Sequence, residues 1–242
     1  MFASDTKLPV TGGPEKRDYV RSMFTAIAPT YDRLNRIISL TLDQRWRRLA
    51  IRQLDWQRAP AGCYLDLCAG TMDFAALLAA EPGFSGRIAA TDFALPMLRL
   101  GTHKTDRAAA VAADALVLPY RNATFDGATV GWGLRNLADL AAGLAEAARV
   151  LKPGARLVVL ETSQPAHQPM RMLHALYAGH VLPKVGRLVS KHTTAYSWLP
   201  ESARYFPGPE QLATIMTEAG FGSVRFQLLT GGVTAMHVGT RV

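Results

Sequence analysis

From Gly62 onward the chain alternates short apolar runs with longer amphipathic stretches, and this alternation constrains the fold more than any other feature. Cys63–Leu67, Arg87–Thr91, Ala108–Ala112, Gly127–Gly131 and Ala155–Leu160 read as strands. Asp73–Ala80, Ala94–Gly101 and Ala138–Leu151 read as helices between them. Alternating elements of this length predict a parallel sheet with helices on both faces. The end of the chain departs from that rhythm. Pro209–Ala219 has a helical pattern, and Ser223–Leu229 and Thr234–Gly239 read as paired strands around Gly231 and Gly232. The expected sheet is therefore α/β, seven-stranded and mostly parallel, closing with a terminal antiparallel strand.

Before Gly62, apolar residues from Met23 to Leu54 recur at three- and four-residue spacing, so Lys16–Leu54 is expected to form two or three helices broken near Pro29 and Asp43. The polar positions of this stretch are largely arginine. Residues 1–15 hold two prolines and two glycines and are expected to form a flexible tail, with 16–60 as a helical cap on a single domain spanning 16–242. Residues 165–206, with four prolines and a helical pattern from Met170 to Leu182, read as an inserted, lid-like segment.

Charge is distributed unevenly over this plan. Residues 1–60 carry 11 basic and 6 acidic side chains, residues 165–206 carry 5 and 1, and the intervening 61–164 carry 9 and 10. The two basic flanks suit a polyanion, either nucleic acid or an anionic lipid surface. Two cysteines, Cys63 and Cys68, are too few for a disulfide framework or a four-ligand zinc site; they read as buried thiols, and no metal is expected. The N-terminus has no apolar core of a secretory signal, and no run approaches the ~18 apolar residues of a membrane span, so a cytoplasmic protein is expected.

The strongest local signal is Tyr64–Asp73, an apolar strand carrying Asp66, a turn with the single glycine Gly70, and a helix start. Asp92 closes the next strand, 22 residues after Gly70. In doubly wound sheets a ligand sits beyond the carboxyl ends of the strands, where an acidic residue after the second strand accepts hydrogen bonds from ribose hydroxyls. A dinucleotide site wants three glycines so that a pyrophosphate can approach the backbone. One glycine flanked by carboxylates suits instead a nucleoside carrying a sulfonium and an ammonium, which describes S-adenosylmethionine. Asp114 and Ala115, after the third strand, stand where they would meet the adenine.

Longer motifs sharpen this reading. Met23–Asn35, with its Ala-Pro-Thr-Tyr-Asp core, Leu42–Arg48, Gly131–Asn136 (Gly-Trp-Gly-Leu-Arg-Asn), Arg149–Gly154, Ala195–Ser202 and Gly231–Val233 together resemble the ubiquinone/menaquinone biosynthesis C-methyltransferases over roughly residues 20–240. Two positions depart from that family's pattern. Met72 stands where its loop has a glycine, which predicts weaker cofactor binding or a displaced loop, and Gly131 stands where some relatives carry serine.

The resemblance implies a Rossmann-like class I methyltransferase that uses S-adenosylmethionine, with Asp66, Gly70, Thr71, Asp92, Asp114 and Ala115 at the cofactor. The reaction it implies is C-methylation of a prenylated quinol, foremost demethylmenaquinol to menaquinol, with a ubiquinone-pathway benzoquinol as the alternative. Arg135 is expected to stabilise a phenolate, Asn136 to hold the quinol hydroxyl, and Tyr31 or Tyr196 to close the site. The histidines at 103, 167, 174, 180, 192 and 237 read as structural or surface groups. Met170, Leu173, Leu176, Tyr177, Val181 and Leu182 are expected to shape access for the prenyl tail, beside Lys184, Arg187 and Lys191 as contacts to anionic lipid at the inner face of the membrane; a homodimer contact is the competing use of that helix. An RNA methyltransferase is the less favoured alternative. The chain has no Pro-Pro dipeptide and no cysteine after a proline, so it lacks two common nucleic-acid methyltransferase motifs and no nucleic-acid partner is expected.

Overall fold

The computed structural model describes residues 8–165, 167–177 and 193–242, side chains of 193–197 excepted. Five parallel strands, β1 (Cys63–Leu67), β2 (Arg87–Asp92), β3 (Ala108–Ala112), β4 (Phe125–Gly131) and β5 (Leu151–Thr162), are joined by β6 (Phe221–Leu229) and β7 (Thr234–Arg241) in the order β3-β2-β1-β4-β5-β7-β6. β7 runs antiparallel to both β5 and β6 and slots between them. The helices are α1 (Gly13–Ile27), α2 (Tyr31–Ile38), α3 (Leu42–Gln53), α4 (Asp73–Ala79), α5 (Leu95–Gly101), α6 (Leu140–Val150), α7 (Met170–Leu176), α8 (Thr193–Tyr205) and α9 (Pro209–Glu218). The α/β sheet with its terminal antiparallel strand is the architecture the alternation predicts.

Side-chain alternation divides β5 between two cores. Leu157 and Val159 join Leu65, Leu67, Val130, Leu144, Leu212 and Phe221 on one face. Val158 and Leu160 join Tyr64, Trp46, Ile51, Phe74 and Leu78 on the other. A strand buried on both faces reads as a continuous apolar run, which is why β5 is so legible. Its start is earlier than expected. Lys152–Gly154 are absorbed as a bulge, since Phe125 pairs with Leu151 while Gly127 pairs with Arg156.

The N-terminal segment does two jobs rather than one. Trp46, Ala50, Ile51 and Leu54 form the buried stripe of α3 and place that helix in the layer on the sheet. Only α1 and α2 lie over the strand ends. The first break falls at Pro29, as expected. The second falls at Leu40 and Thr41, both left-handed (φ 52 and 64), ahead of Asp43, whose carboxylate accepts from Ser39 Oγ at 2.7 Å. The flexible-tail reading does not extend to residues 8–15. Val10 is buried with Val20, Met23, Ile27 and Trp198, the Gly13 amide donates to the Ala138 carbonyl at 3.2 Å, and α1 starts at Gly13. The helix expected over Met170–Leu182 is observed for Met170–Leu176; Val181, Leu182, His180, His192, Lys184, Arg187 and Lys191 lie outside the described residues, as does the side chain of Tyr196. Cys63 is exposed rather than buried, and Cys68 is partly exposed.

The order of strands reverses between β1 and β4, which opens a crevice beyond their carboxyl ends. Met72 lies behind that crevice, outside its lining. It occupies the left-handed N-cap of α4 (φ 63, ψ 31), a conformation glycine adopts freely, yet its side chain is fully buried among Phe74, Leu78 and Leu98. Left-handed backbone at a non-glycine residue costs on the order of 1 kcal/mol, while burying a methionine side chain contributes about 1.5–3 kcal/mol. Burial wins. Met72→Gly should therefore destabilise the fold by about 1–3 kcal/mol in urea unfolding despite relieving the backbone.

Candidate active site

The crevice holds a cleft with about 670 Å³ of empty space, open to solvent. One wall comes from the strand ends: Gly70, Asp92, Phe93, Met97, Asp114, Ala115 and Leu116. Phe24 and Tyr31 from the cap and Gly131–Gly133 with Asn136–Ala138 from the turn after β4 complete the lining, and the two cap rings belong to the same apolar cluster as Phe93 and Met97. Six of the expected site residues thus meet on one cleft: Gly70, Asp92, Asp114, Ala115, Tyr31 and Asn136.

Asp92 organises the first wall. Its Oδ2 accepts from the Gly70 amide at 2.9 Å and its Oδ1 from the Ala94 amide at 2.8 Å. Burial raises its pKa, and amide donors oppose that shift by favouring the charged carboxylate. Each oxygen keeps a further lone pair for a ligand hydroxyl. Asp114 accepts from the Leu116 amide at 3.0 Å through Oδ1, and its Oδ2 pairs with Arg17 Nε at 2.7 Å. Arg17, on α1, also lines the cleft. Sequence reasoning did not single it out, because nothing local ties a cap arginine to a carboxylate almost a hundred residues away.

Three expected site residues stand behind the walls. Asp66 is buried beneath the loop, where its Oδ2 accepts from the Ala75 amide at 3.0 Å and its Oδ1 from Thr129 Oγ1 at 3.4 Å. It ties α4 to β1 and β4 and does not reach the cleft. Alternation along β1 explains this, since a residue between Leu65 and Leu67 must point to the opposite face. Thr71 turns away too, donating its hydroxyl to Asp32 on α2. Arg135, the expected cation, is buried outside the cleft lining. Its Nη1 pairs with Glu161 Oε1 at 2.5 Å and donates to the Trp132 carbonyl at 2.9 Å, while its backbone amide donates to Glu161 Oε2 at 3.2 Å. Glu161 ends β5 and carried no local sequence signal. With its charge matched, Arg135 alone supplies no net cation.

The neighbourhood is nonetheless positive. Lys16, on the first turn of α1, is buried close enough to Arg135 that desolvation first, and the guanidinium second, lower its pKa. Lys16, Arg135 and Glu161 together carry one net positive charge. Asn136 faces the cleft with its side chain held from two sides, donating from Nδ2 to the Trp132 carbonyl at 3.0 Å and accepting from Trp198 Nε1 at 2.9 Å. Tyr31 packs edge-on against Phe24 with ring centres 5.8 Å apart, and burial, the largest effect on it, raises its pKa. Gly131 is required as glycine here, because a Cβ would lie 2.7 Å from the Phe74 ring. No histidine lines the cleft among the described residues.

The cleft therefore brings carboxylates, aromatic rings and an amide together, with the buried Arg135–Glu161 pair behind them. Residues 13–241 match the ubiE/COQ5 methyltransferase family. The chain belongs to that family. It is 45% identical over 223 residues to the demethylmenaquinone methyltransferase of Thermus thermophilus, covering 90% of this chain and 100% of the relative. It is 42% identical over 228 residues to the enzyme of the same name from Lactiplantibacillus plantarum, covering 92% and 95%. Among solved structures, a SAM-dependent methyltransferase from Thermotoga maritima aligns with a TM-score of 0.61 at 20% identity, over 91% of this chain and 99% of that one. The cyclase SpnF aligns at 0.60 and 15% identity over 97% and 98%, so the fold alone does not fix the chemistry. The cofactor of this ubiE/COQ5 member is S-adenosylmethionine, and the cleft fits it. Asp92 suits ribose hydroxyls, Phe93, Met97 and Leu116 offer apolar flanks for a purine, and Asp114 and Ala115 lie beside them.

Asp66 offers a separable test. Burial pushes its carboxyl up to about 8, whereas an unfolded aspartate titrates near ~3.9. The folded state holds the extra proton between those values, so this contribution to stability is complete below about pH 4 and is lost as pH rises through about 8. The melting temperature of the wild type should fall from pH 6 to pH 9 more steeply than that of Asp66→Asn.

Proposed function

We propose that this ubiE/COQ5 methyltransferase transfers a methyl group from S-adenosylmethionine to a ring carbon of demethylmenaquinol, giving menaquinol. The observation that supports this reading is that Gly131, Trp132, Gly133 and Asn136 of the quinone-branch motif line the same cleft as Asp92 and Gly70. The two relatives at 42% and 45% identity, both named demethylmenaquinone methyltransferases, favour the naphthoquinol over a benzoquinol and over RNA.

When bound, S-adenosylmethionine supplies an electrophilic methyl on a positively charged sulfur. The residues of this chain must orient the acceptor and make its ring carbon nucleophilic. A quinol hydroxyl ionises near ~10 in water, and the ring becomes reactive as that oxygen gains negative charge. Asn136 is placed to hold the hydroxyl, its amide fixed by Trp132 and Trp198. Lys16 and Arg135, with Glu161 counted against them, supply the net positive charge that favours the oxyanion. Tyr31 closes the apolar wall and Asp92 anchors the ribose, which sets the approach of ring carbon to methyl. Arg135 acts here as a positioning residue that fixes the Trp132–Asn136 turn.

The test is transfer of labelled methyl to reduced demethylmenaquinone by the purified chain. Asn136→Ala should lower kcat by about 10–100-fold with unchanged affinity for S-adenosylmethionine, whereas Asp92→Ala should weaken that affinity by about tenfold or more. Lys16→Met should lower kcat by about tenfold and move the pH profile to higher pH, while cofactor affinity holds. No methylated quinol from the wild type would overturn the reading.

A further inference from the structure

The outer surface of the cap carries a second feature that the cleft does not use. On α2, Arg33, Arg36 and Ile37 share one exposed face by their spacing of three and four residues, and Leu40 is exposed in the turn after it. Ile37 is 39% exposed and Leu40 is 69% exposed, held out by the consecutive left-handed residues Leu40 and Thr41. Beside them α7 exposes Met172, Leu173 and Leu176 at 58%, 60% and 51%. The two elements are joined by a hydrogen bond of 2.7 Å from the Tyr177 hydroxyl to the Ile38 carbonyl.

This apolar patch sits in a one-sign surround. Arg33, Arg36, Arg45, Arg48 and Arg171 are exposed, and none forms an ion pair among the described residues. The two acids between 31 and 48 are already engaged, Asp32 by Lys104 and Asp43 by Arg47. The sequence holds no aspartate or glutamate from 162 through 200. No described helix is long and apolar enough to cross a membrane. Exposed aliphatic side chains on elements that also carry unpaired, exposed arginines have the composition of a surface that lies in a bilayer interface.

We infer that this face docks on an anionic phospholipid bilayer, with Ile37, Leu40, Met172, Leu173 and Leu176 at the headgroup–acyl boundary and the arginines on lipid phosphates. The inference rests on the quinol reading for its purpose, because a prenylated acceptor resides in the bilayer. Helix α2 links the two sites. Tyr31 at its start lines the cleft, and Ile37 lies six residues on, roughly 9 Å at helical rise. The acceptor ring can thus occupy the cleft while its tail follows α2 to the lipid. A second copy of this chain fits the face poorly, since a twofold contact would bring its own arginines together.

The test uses the full chain without cofactor or quinol, sedimented with phosphatidylcholine vesicles that contain or lack about a third phosphatidylglycerol. Binding should require phosphatidylglycerol and weaken with salt. Arg33→Glu with Arg36→Glu should reduce partitioning by more than tenfold, taking about fivefold for each charge removed. Leu40→Asp with Leu173→Asp should reduce it by about tenfold or more while methyl transfer to a water-soluble, short-chain quinol is unchanged. Vesicle binding indifferent to these substitutions would overturn the inference, as would loss of a dimer in sedimentation velocity on Leu40→Asp with Leu173→Asp, or RNA binding that the arginine variants abolish and the leucine variants leave intact. Failure of lipid binding beside intact short-chain turnover removes the docking surface and leaves the methyl-transfer reading standing; absence of turnover beside intact lipid binding does the reverse.

Discussion

A shared ammonium holds the cap over the cofactor loop. Lys104 Nζ, in the short 3-10 turn Thr102–Lys104 after α5, lies 2.7 Å from Asp32 on α2 and 2.6 Å from Asp73 at the start of α4. Asp73 is also within 3.6 Å of Arg47 on α3, which pairs with Asp43 at 2.7 Å, and Asp32 accepts the Thr71 hydroxyl. Three cap or layer elements and the glycine turn are thus locked by one half-buried charge network. Removing a single partner would leave a desolvated charge behind, which costs more than the intact pair stabilises. Because Tyr31 and the exposed face of α2 are carried by the same helix as Asp32, this network sets both the aromatic wall of the cleft and the reach from cleft to surface.

The turn after β4 depends on a different balance. Arg135 and Glu161 are both almost fully buried, and that pair keeps the turn after β4 in place through Trp132, whose carbonyl receives both Arg135 and Asn136. Trp132 itself is left-handed (φ 54), and Arg47 stacks 4.8 Å over its ring. Neutralising Arg135 within the fold leaves Lys16 as the cation that tips the local charge. Asn136, held by that turn, lines the same cleft as Asp92 and Asp114.

Local signals were reliable wherever one segment met its own physical needs. The β1–turn–α4 unit, Asp92 at the end of β2, and the double-sided apolar run of β5 were legible because periodicity and turn chemistry express themselves within a few residues. Asp66 and Thr71 were assigned to the cleft because they flank the right turn, but strand alternation and the cap's Asp32 turn both away from it. Met72 looked like a disturbance of the loop; its buried side chain offsets the strained backbone that a glycine would have taken freely.

The sequence by itself determined the class of sheet, the order of its elements, the carboxylates that crown β2 and β3, and the motif that marks the turn after β4. Each of these is written in spacing along a contiguous stretch. Tertiary structure alone decided that Glu161 cancels Arg135, that Arg17 meets Asp114, that Lys16 comes to rest beside a guanidinium more than a hundred residues away, and that α2 and α7 pool their exposed aliphatic side chains. Those outcomes depend on which distant charges and surfaces are brought within a few ångströms, and Coulomb and contact interactions act on that separation, not on distance along the chain.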